Sequence, residues 1–129
     1  MNIRRYQSDD LPGILHLCEV EHWPSFPEDP ARAHRVLTAP GVTTMVAVEN
    51  NQVIGFAQMQ SDSEIQAHLS LVAVQKIYRG HGIARKLIAS ALREAGGLRV
   101  DLITETSEGF YSKLQHRRMS GFRLYPFGD

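Results

Sequence analysis

The chain has 129 residues, 43% of them apolar and 22% charged, and its fourteen basic and fourteen acidic side chains cancel to zero net charge. That length suits a single domain over residues 1–129 with enough chain to bury a core, and zero charge disfavours a nucleic-acid binder that works by neutralising phosphates. No apolar run approaches the roughly 18 to 20 residues that a membrane-spanning helix needs.

Residues 1–6, Met-Asn-Ile-Arg-Arg-Tyr, lack the apolar stretch of a signal peptide, so a soluble cytoplasmic protein is expected. Ile3 to Tyr6 predict a first strand. Ser8-Asp9-Asp10 before Leu11-Pro12 is a helix start, with a capping residue, an acidic first turn and an early proline. Leu11, Ile14, Leu15, Leu17, Cys18 and Val20 give the apolar stripe of that helix. Cys18, the only cysteine, excludes an intrachain disulfide and a cysteine metal cluster and is expected in the core. The prolines at 24, 27 and 30 break the helix, and Ala31 to Leu37 predict a second, short one before Ala39-Pro40-Gly41. Thr43 to Glu49 and Val53 to Gln60, joined by Asn50-Asn51, read as a hairpin. Ser61-Asp62-Ser63 turns the chain into a strand over Ile65 to Val74. A helix follows from about Gly82 to Ala95, with Ile83, Leu87, Ile88, Ala91, Leu92 and Ala95 on one face, and Gly96-Gly97 stops it. Leu98 to Thr104 predict a fifth strand, Glu108 to about Leu114 a short helix, and Gly121 to Tyr125 a last strand.

The most informative stretch runs from the strand Leu69-Ser70-Leu71-Val72-Ala73-Val74 into Arg79-Gly80-His81-Gly82-Ile83-Ala84-Arg85. A strand, a glycine turn and a helix start make an anion site. Glycines let the main chain approach closely, and the first helical turn leaves N–H groups unpaired at the positive end of the dipole. A diphosphate is the natural guest. A P-loop would need Gly-Lys-Ser/Thr where Gly82-Ile83-Ala84 stands, and a dinucleotide fingerprint belongs in the first strand-turn-helix unit rather than past the midpoint. A plain tight turn that caps a helix is the bland alternative.

The run Arg79-Gly80-His81-Gly82-Ile83-Ala84 behind Val72-Ala73-Val74 resembles the GNAT superfamily of acetyl-CoA-dependent N-acyltransferases, whose signature is Gln/Arg-x-x-Gly-x-Gly/Ala after such a strand. The resemblance covers nearly the whole chain. It implies an α/β (α+β) fold with a mixed central sheet of about six strands flanked by helices, in the order βααβββαβαβ. The family's usual further C-terminal strand is missing, which leaves a sheet edge that a second copy of the chain is a candidate to cover. The resemblance further implies that the backbone amides from Arg79 through Gly80, His81, Gly82, Ile83 and Ala84 to Arg85 hold the pyrophosphate of acetyl-CoA. It also implies that the strand before the loop pairs with the pantetheine arm through Val72, Val74 and nearby main chain. Core packing of both valines is compatible with that role.

Acyl transfer to an amine must hold the donor, take a proton from the amine, stabilise the carbonyl oxygen and protonate the leaving thiolate. The family carries a tyrosine after its fifth strand, often as Phe-Tyr; Phe110-Tyr111 makes Tyr111 the acid candidate, with helix-face packing as the plain alternative. Two departures stand beside it, Thr104 in place of a common Asn and the inserted residues 115–120 before Gly121-Phe122. Strand alternation puts His68, Ser70, Val72 and Val74 on one face and the wholly apolar Ala67, Leu69, Leu71 and Ala73 on the other. His68 is therefore the base candidate, acting through water, with Glu64 or water alone as alternative bases; a surface or cross-strand histidine explains it equally well. Glu21, Trp23 and Phe26 fall where the family lines its acceptor pocket; an ordered aromatic loop explains them equally well. The basic stretch His116-Arg117-Arg118 reads as a solvated loop or a phosphate contact. An N-acetyltransferase acting on a primary amine, without a metal and without an acyl-enzyme, is the expectation. The alternative is a CoA-binding regulatory domain with little catalysis, and acylation of tRNA is disfavoured by the charge balance.

Overall fold

A computed structural model describes residues 1–128. In chain order its elements are β1 (Asn2–Arg5), α1 (Leu11–Val20), α2 (Ser25–Glu28), α3 (Pro30–Leu37), β2 (Val42–Glu49), β3 (Gln52–Ser61), β4 (Gln66–Val74), α4 (Ile83–Ala95), β5 (Arg99–Asp101) and α5 (Glu108–Tyr111). The strands lie side by side in sequence order, and every neighbour pair is antiparallel except β4 and β5. That one parallel pair requires a crossover, which α4 supplies.

Helices cover both faces of the sheet. On one face Ile83, Leu87, Ala91 and Ala95 of α4 pack on Met45, Ala47, Ala57 and Met59, the stripe read from the helical spacing. On the other, Ile14, Leu17 and Cys18 of α1 and Leu37 of α3 pack on Val46, Phe56 and Ala73. Gly13 lets α1 come close, since a Cβ there would stand 2.7 Å from Val53 Cβ. The start of α1 is anchored by Asp10, only 5% exposed. Its carboxylate accepts from Arg4 Nη1 at 2.8 Å and Nη2 at 2.9 Å, and from the Gln7 amide at 2.7 Å. Burial opposes ionisation of Asp10, but the Arg4 and Gln7 hydrogen bonds outweigh it and hold the carboxyl below its ordinary value.

Local chemistry explains the turns. Asn50 and Asn51 have φ of 51° and 62°, the two left-handed positions of a tight hairpin turn. After α1, His22 takes φ 62°, and the amides of Trp23 and His22 return to the carbonyls of Cys18 at 2.9 Å and Glu19 at 3.1 Å. This is a Schellman ending with histidine in the usual glycine place. The prolines that follow do not exclude a helix: Ser25–Glu28 is one helical turn with Pro27 in its first turn, where an amide would have no helical acceptor. Pro30 opens α3, and Asp29 caps it by accepting from the Arg32 amide at 3.1 Å.

Three expectations are corrected. First, β4 does not alternate strictly. Gln58 pairs with Leu71 and Met59 with Leu69, so Ser70 is an extra residue in a bulge. One inserted residue reverses the faces beyond it: Ala67 and Leu69 join the α4-side core with Val72 and Val74, while Leu71 and Ala73 join the α1-side core. His68 therefore sits on the face opposite Val72 and Val74. Secondly, β5 is three residues long rather than seven, because it pairs only with Gln66, Ala67 and His68 before the two strands part. Thirdly, Gly121–Tyr125 forms no strand, so the described sheet has five strands and not six. Strand pattern becomes a strand only with a ladder to join; here Phe122 and Leu124 are each 81% exposed.

Candidate functional site

The two ends of β4 define the site. At its C-terminal end the chain passes through a 3-10 turn at Lys76–Tyr78 into Arg79-Gly80-His81-Gly82 and then α4. Gly80 and Gly82 have φ of 82° and 80°, the left-handed region that favours glycine, and a Cβ at either would meet nothing within 4 Å. The loop is thus open on its outer side. Lys86 N–H returns to the Gly82 carbonyl at 3.1 Å. Among the described residues, the six preceding amides, from Gly80 to Arg85, have no backbone or side-chain acceptor. Six consecutive unpaired N–H groups at a helix start, beside the exposed side chains of Arg85 and Lys86, form a cradle for an anion.

The side chains of the loop are spent differently. Arg79 Nε donates to the Val74 carbonyl at 3.0 Å, and its guanidinium pairs with Glu21 at the end of α1. The His81 ring lies 3.1 Å from the Tyr78 carbonyl. Glu21, expected to meet an amine, is therefore engaged by an arginine expected to meet phosphate. Trp23 and Phe26 are half-buried against the α1-side core.

At the other end, β4 and β5 separate after His68, and from Leu69 to Val74 the β5-side edge of β4 has no strand partner. That is about 20 Å of open edge leading from the anion cradle to the fork. A cleft of about 610 Å³ opens there, lined by His68, Ile88, Val100, Leu102 and Tyr111 among others. Tyr111 packs against the α4-side core, and Phe110 meets it edge-on with ring centroids 4.9 Å apart. Burial raises its phenol above the ordinary value, so it carries its proton throughout the neutral range. Thr104 Oγ1 accepts from the Ser107 amide at 3.0 Å, just ahead of α5. His116 and Arg117 also line the cleft, and Arg118 pairs with Glu108 across it.

The structure thus brings His68 and Tyr111 to one cleft and leaves Glu64 outside it, exposed in the β3–β4 turn. Cys18 is 1% exposed within the α1-side core, and its thiol is pushed up to about 11, first by burial and then by Glu21 and Glu19. Sequence reasoning missed the bulge at Ser70. The available signal was a single hydroxyl residue inside an otherwise apolar run. Among the described residues no group of histidine, cysteine and carboxylate side chains could hold a metal ion, and no helix is long and apolar enough to cross a membrane.

A family model described as an acetyltransferase (GNAT) domain matches residues 9–122. No curated protein matches the sequence. Among solved structures, the chain is similar to an acetyltransferase of Trypanosoma brucei, 24% identical over 96% of this chain and 98% of that one, with a TM-score of 0.77. It is also similar to the aminoglycoside N-acetyltransferase AAC(6')-Iy in complex with CoA, 21% identical over 96% and 92% of the two chains, with a TM-score of 0.79. The ribosomal-protein-alanine N-acetyltransferase of Brucella melitensis biovar Abortus 2308 gives 18% identity over 98% and 99%, with a TM-score of 0.75. These likenesses are likenesses of fold.

Proposed function

The chain belongs to the GNAT acetyltransferase family, and from that premise we propose that it transfers an acetyl group from acetyl-CoA to a primary amine by direct attack in a ternary complex. The observation that carries the donor half is the row of unpaired amides from Gly80 to Arg85 at the end of an open strand edge. Those amides would hold the pyrophosphate, with Arg85 adding charge. Arg79 would act by fixing the loop to Val74. The open edge of β4, including the main chain of Val72 and Val74, would pair with the pantetheine arm as an added strand does.

The chemistry then falls at the fork. His68 takes the ammonium proton through water and leaves a neutral amine. The amine lone pair forms the C–N bond as the carbonyl pair moves onto oxygen, where main chain freed by the Ser70 bulge can donate N–H. As the C–S bond breaks, the Tyr111 hydroxyl gives its proton to the departing sulfur and is restored through water by the second proton that the former amine nitrogen loses as the neutral amide forms. Its raised pKa keeps that proton in place until the thiolate forms. Burial of Cys18 and its raised thiol support attack without an acyl-enzyme. Trp23, Phe26 and Glu21 would border the amine, which is a small molecule or an exposed protein amino group. The whole chain acts as one domain in the cytoplasm, as a homodimer across the outer edge of β5, where the sheet ends.

A CoA-binding regulatory domain without turnover is the second reading, favoured by the Glu21–Arg79 pair, which occupies the carboxylate expected to hold the amine. Thermal denaturation with acetyl-CoA tests the donor, and mass spectrometry of amine mixtures incubated with acetyl-CoA tests transfer. Protection with a 42-dalton gain on an amine is expected. No protection at millimolar acetyl-CoA refutes the donor, and protection without any acetylated amine selects the regulatory reading.

A further inference from the structure

Glu21, the carboxylate expected to meet the amine, is held by Arg79, so a cationic acceptor needs another. Asp101 and Glu108 are the carboxylates that line the cleft at the fork. Glu108 is spent on Arg118, whereas Asp101 makes no ion pair among the described residues, although Arg117 also lines the cleft. Register fixes where Asp101 stands. It is the β5 residue paired with His68 in the last step of the parallel β4–β5 ladder. Paired residues on neighbouring strands send their side chains to the same face, with the strands about 4.8 Å apart. Ala67 and Val100, one residue back, pack in the α4-side core, so His68 and Asp101 both emerge on the opposite face. Both are exposed, and both line the cleft. The carboxylate is also aimed. Its Oδ2 accepts from Gln66 Nε2, and Gln66 Oε1 accepts from Arg99 Nε at 2.7 Å. That chain occupies Arg99 with an amide and leaves Asp101 Oδ1 without a protein partner among the described residues.

Resting on the acetyl-transfer reading above, we propose that Asp101 selects the acceptor, its free carboxylate oxygen binding the ammonium of an amine that is cationic at neutral pH. The substrate class is then an alkylamine or a protein amino group and not an arylamine. An ammonium has N–H groups to spare for this. One meets Asp101 Oδ1, and another meets the water that leads to the neighbouring His68. Once His68 has taken a proton through that water, the neutral amine still donates an N–H to Asp101. Its lone pair is then free to form the C–N bond. Because Asp101 is in contact with water, it holds the ammonium without the deep stabilisation that would oppose proton loss.

The test is competition for acetyl-CoA within an equimolar mixture of primary alkylamines and lysine peptides, cationic at neutral pH, with arylamines, neutral there. Wild type, Asp101→Asn and Asp101→Glu are compared, with products read by mass spectrometry. Wild type is expected to acetylate the cationic members in preference. Asp101→Asn should lose about tenfold in kcat/KM for them, through KM, with Asp101→Glu recovering most of the loss. Added sodium chloride should raise the wild-type KM for a cationic amine and leave that of Asp101→Asn unchanged. Unliganded Tm and the Kd for acetyl-CoA should be equal in wild type and Asp101→Asn. Preference of wild type for arylamines, or one product ratio in wild type and Asp101→Asn, overturns the proposal. So does a lowered Tm with both amine classes weakened equally, which would make Asp101 a structural partner of Gln66. Should Asp101→Asn fail to fold, a wild-type KM that salt does not move overturns it equally. Binding of acetyl-CoA by wild type without acetylation of any amine would instead refute the transfer reading on which the proposal rests.

Discussion

Gly82→Ala separates the anion cradle from an ordinary helix start. Gly82 has φ 80° and ψ 12°, a left-handed conformation that costs an L-residue about 1–2 kcal/mol. Nothing lies within 4 Å of the added Cβ, so no steric term joins that strain in the free protein. The expected loss of stability is about 1–2 kcal/mol, or roughly 4–8 °C in Tm. Donor binding should suffer more. The methyl group enters the open side of a loop whose amides must come within hydrogen-bond distance of phosphate oxygens, so Kd for acetyl-CoA should rise at least about tenfold, or about 1.4 kcal/mol. Gly96→Ala is the control. Gly96 has φ 78° and ψ 161°, a region nearly restricted to glycine, and its Cβ would stand 2.8 Å from the Ser63 carbonyl oxygen. That variant should lose more stability than Gly82→Ala and keep wild-type affinity, because Gly96 ends α4 away from the cradle. Calorimetric titration of the three proteins with acetyl-CoA decides the matter. Equal Kd for Gly82→Ala and wild type, or equal weakening in Gly96→Ala, would refute the assignment of the loop.

Tyr111→Phe should lower kcat by about 100-fold or more and leave acetyl-CoA affinity unchanged, read by steady-state kinetics beside titration. Because burial raises the Tyr111 pKa, the alkaline decline in wild-type kcat should begin above the ordinary tyrosine range and vanish in the variant. His68→Ala should flatten the acidic limb of the pH–rate profile; an unchanged limb removes the base role. The Asp10 carboxyl is held below its unfolded value, so its contribution to stability is full above about pH 4 and is lost as pH falls through the lower folded value. Asp10→Asn should cost about 2–3 kcal/mol at pH 7 and make urea-denaturation midpoints less sensitive to acid, since Arg4 then loses its bidentate carboxylate.

Much of this molecule is legible in its residues because the relevant physics is local. The hairpin at Asn50-Asn51 and the buried stripe of α4 follow from turn chemistry and period, and the strand-loop-helix at Val74 to Ile83 follows from which residues tolerate positive φ. The glycine spacing, with its order of elements, was enough to identify the family. Local pattern failed where a neighbour decides. Alternation assigned His68, Ser70, Val72 and Val74 to one face, but the register against β3 inserts Ser70 as a bulge and reverses the faces beyond it. Gly121–Tyr125 alternates like a strand, yet no ladder receives it. Arg79 and Glu21, 58 residues apart, were each assigned to a ligand, and only the packing of α1 beside the loop shows that they hold each other.

The sequence by itself therefore determined the left-handed glycine loop, α1, α3, α4 and the hairpin, since each depends on dihedral preference and periodicity over a few residues. Tertiary structure alone decided where β4 and β5 part, which face His68 takes and that Ser70 carries a buried, partnerless hydroxyl at the fork. Register and burial are relations between distant segments, and no window along one strand contains them.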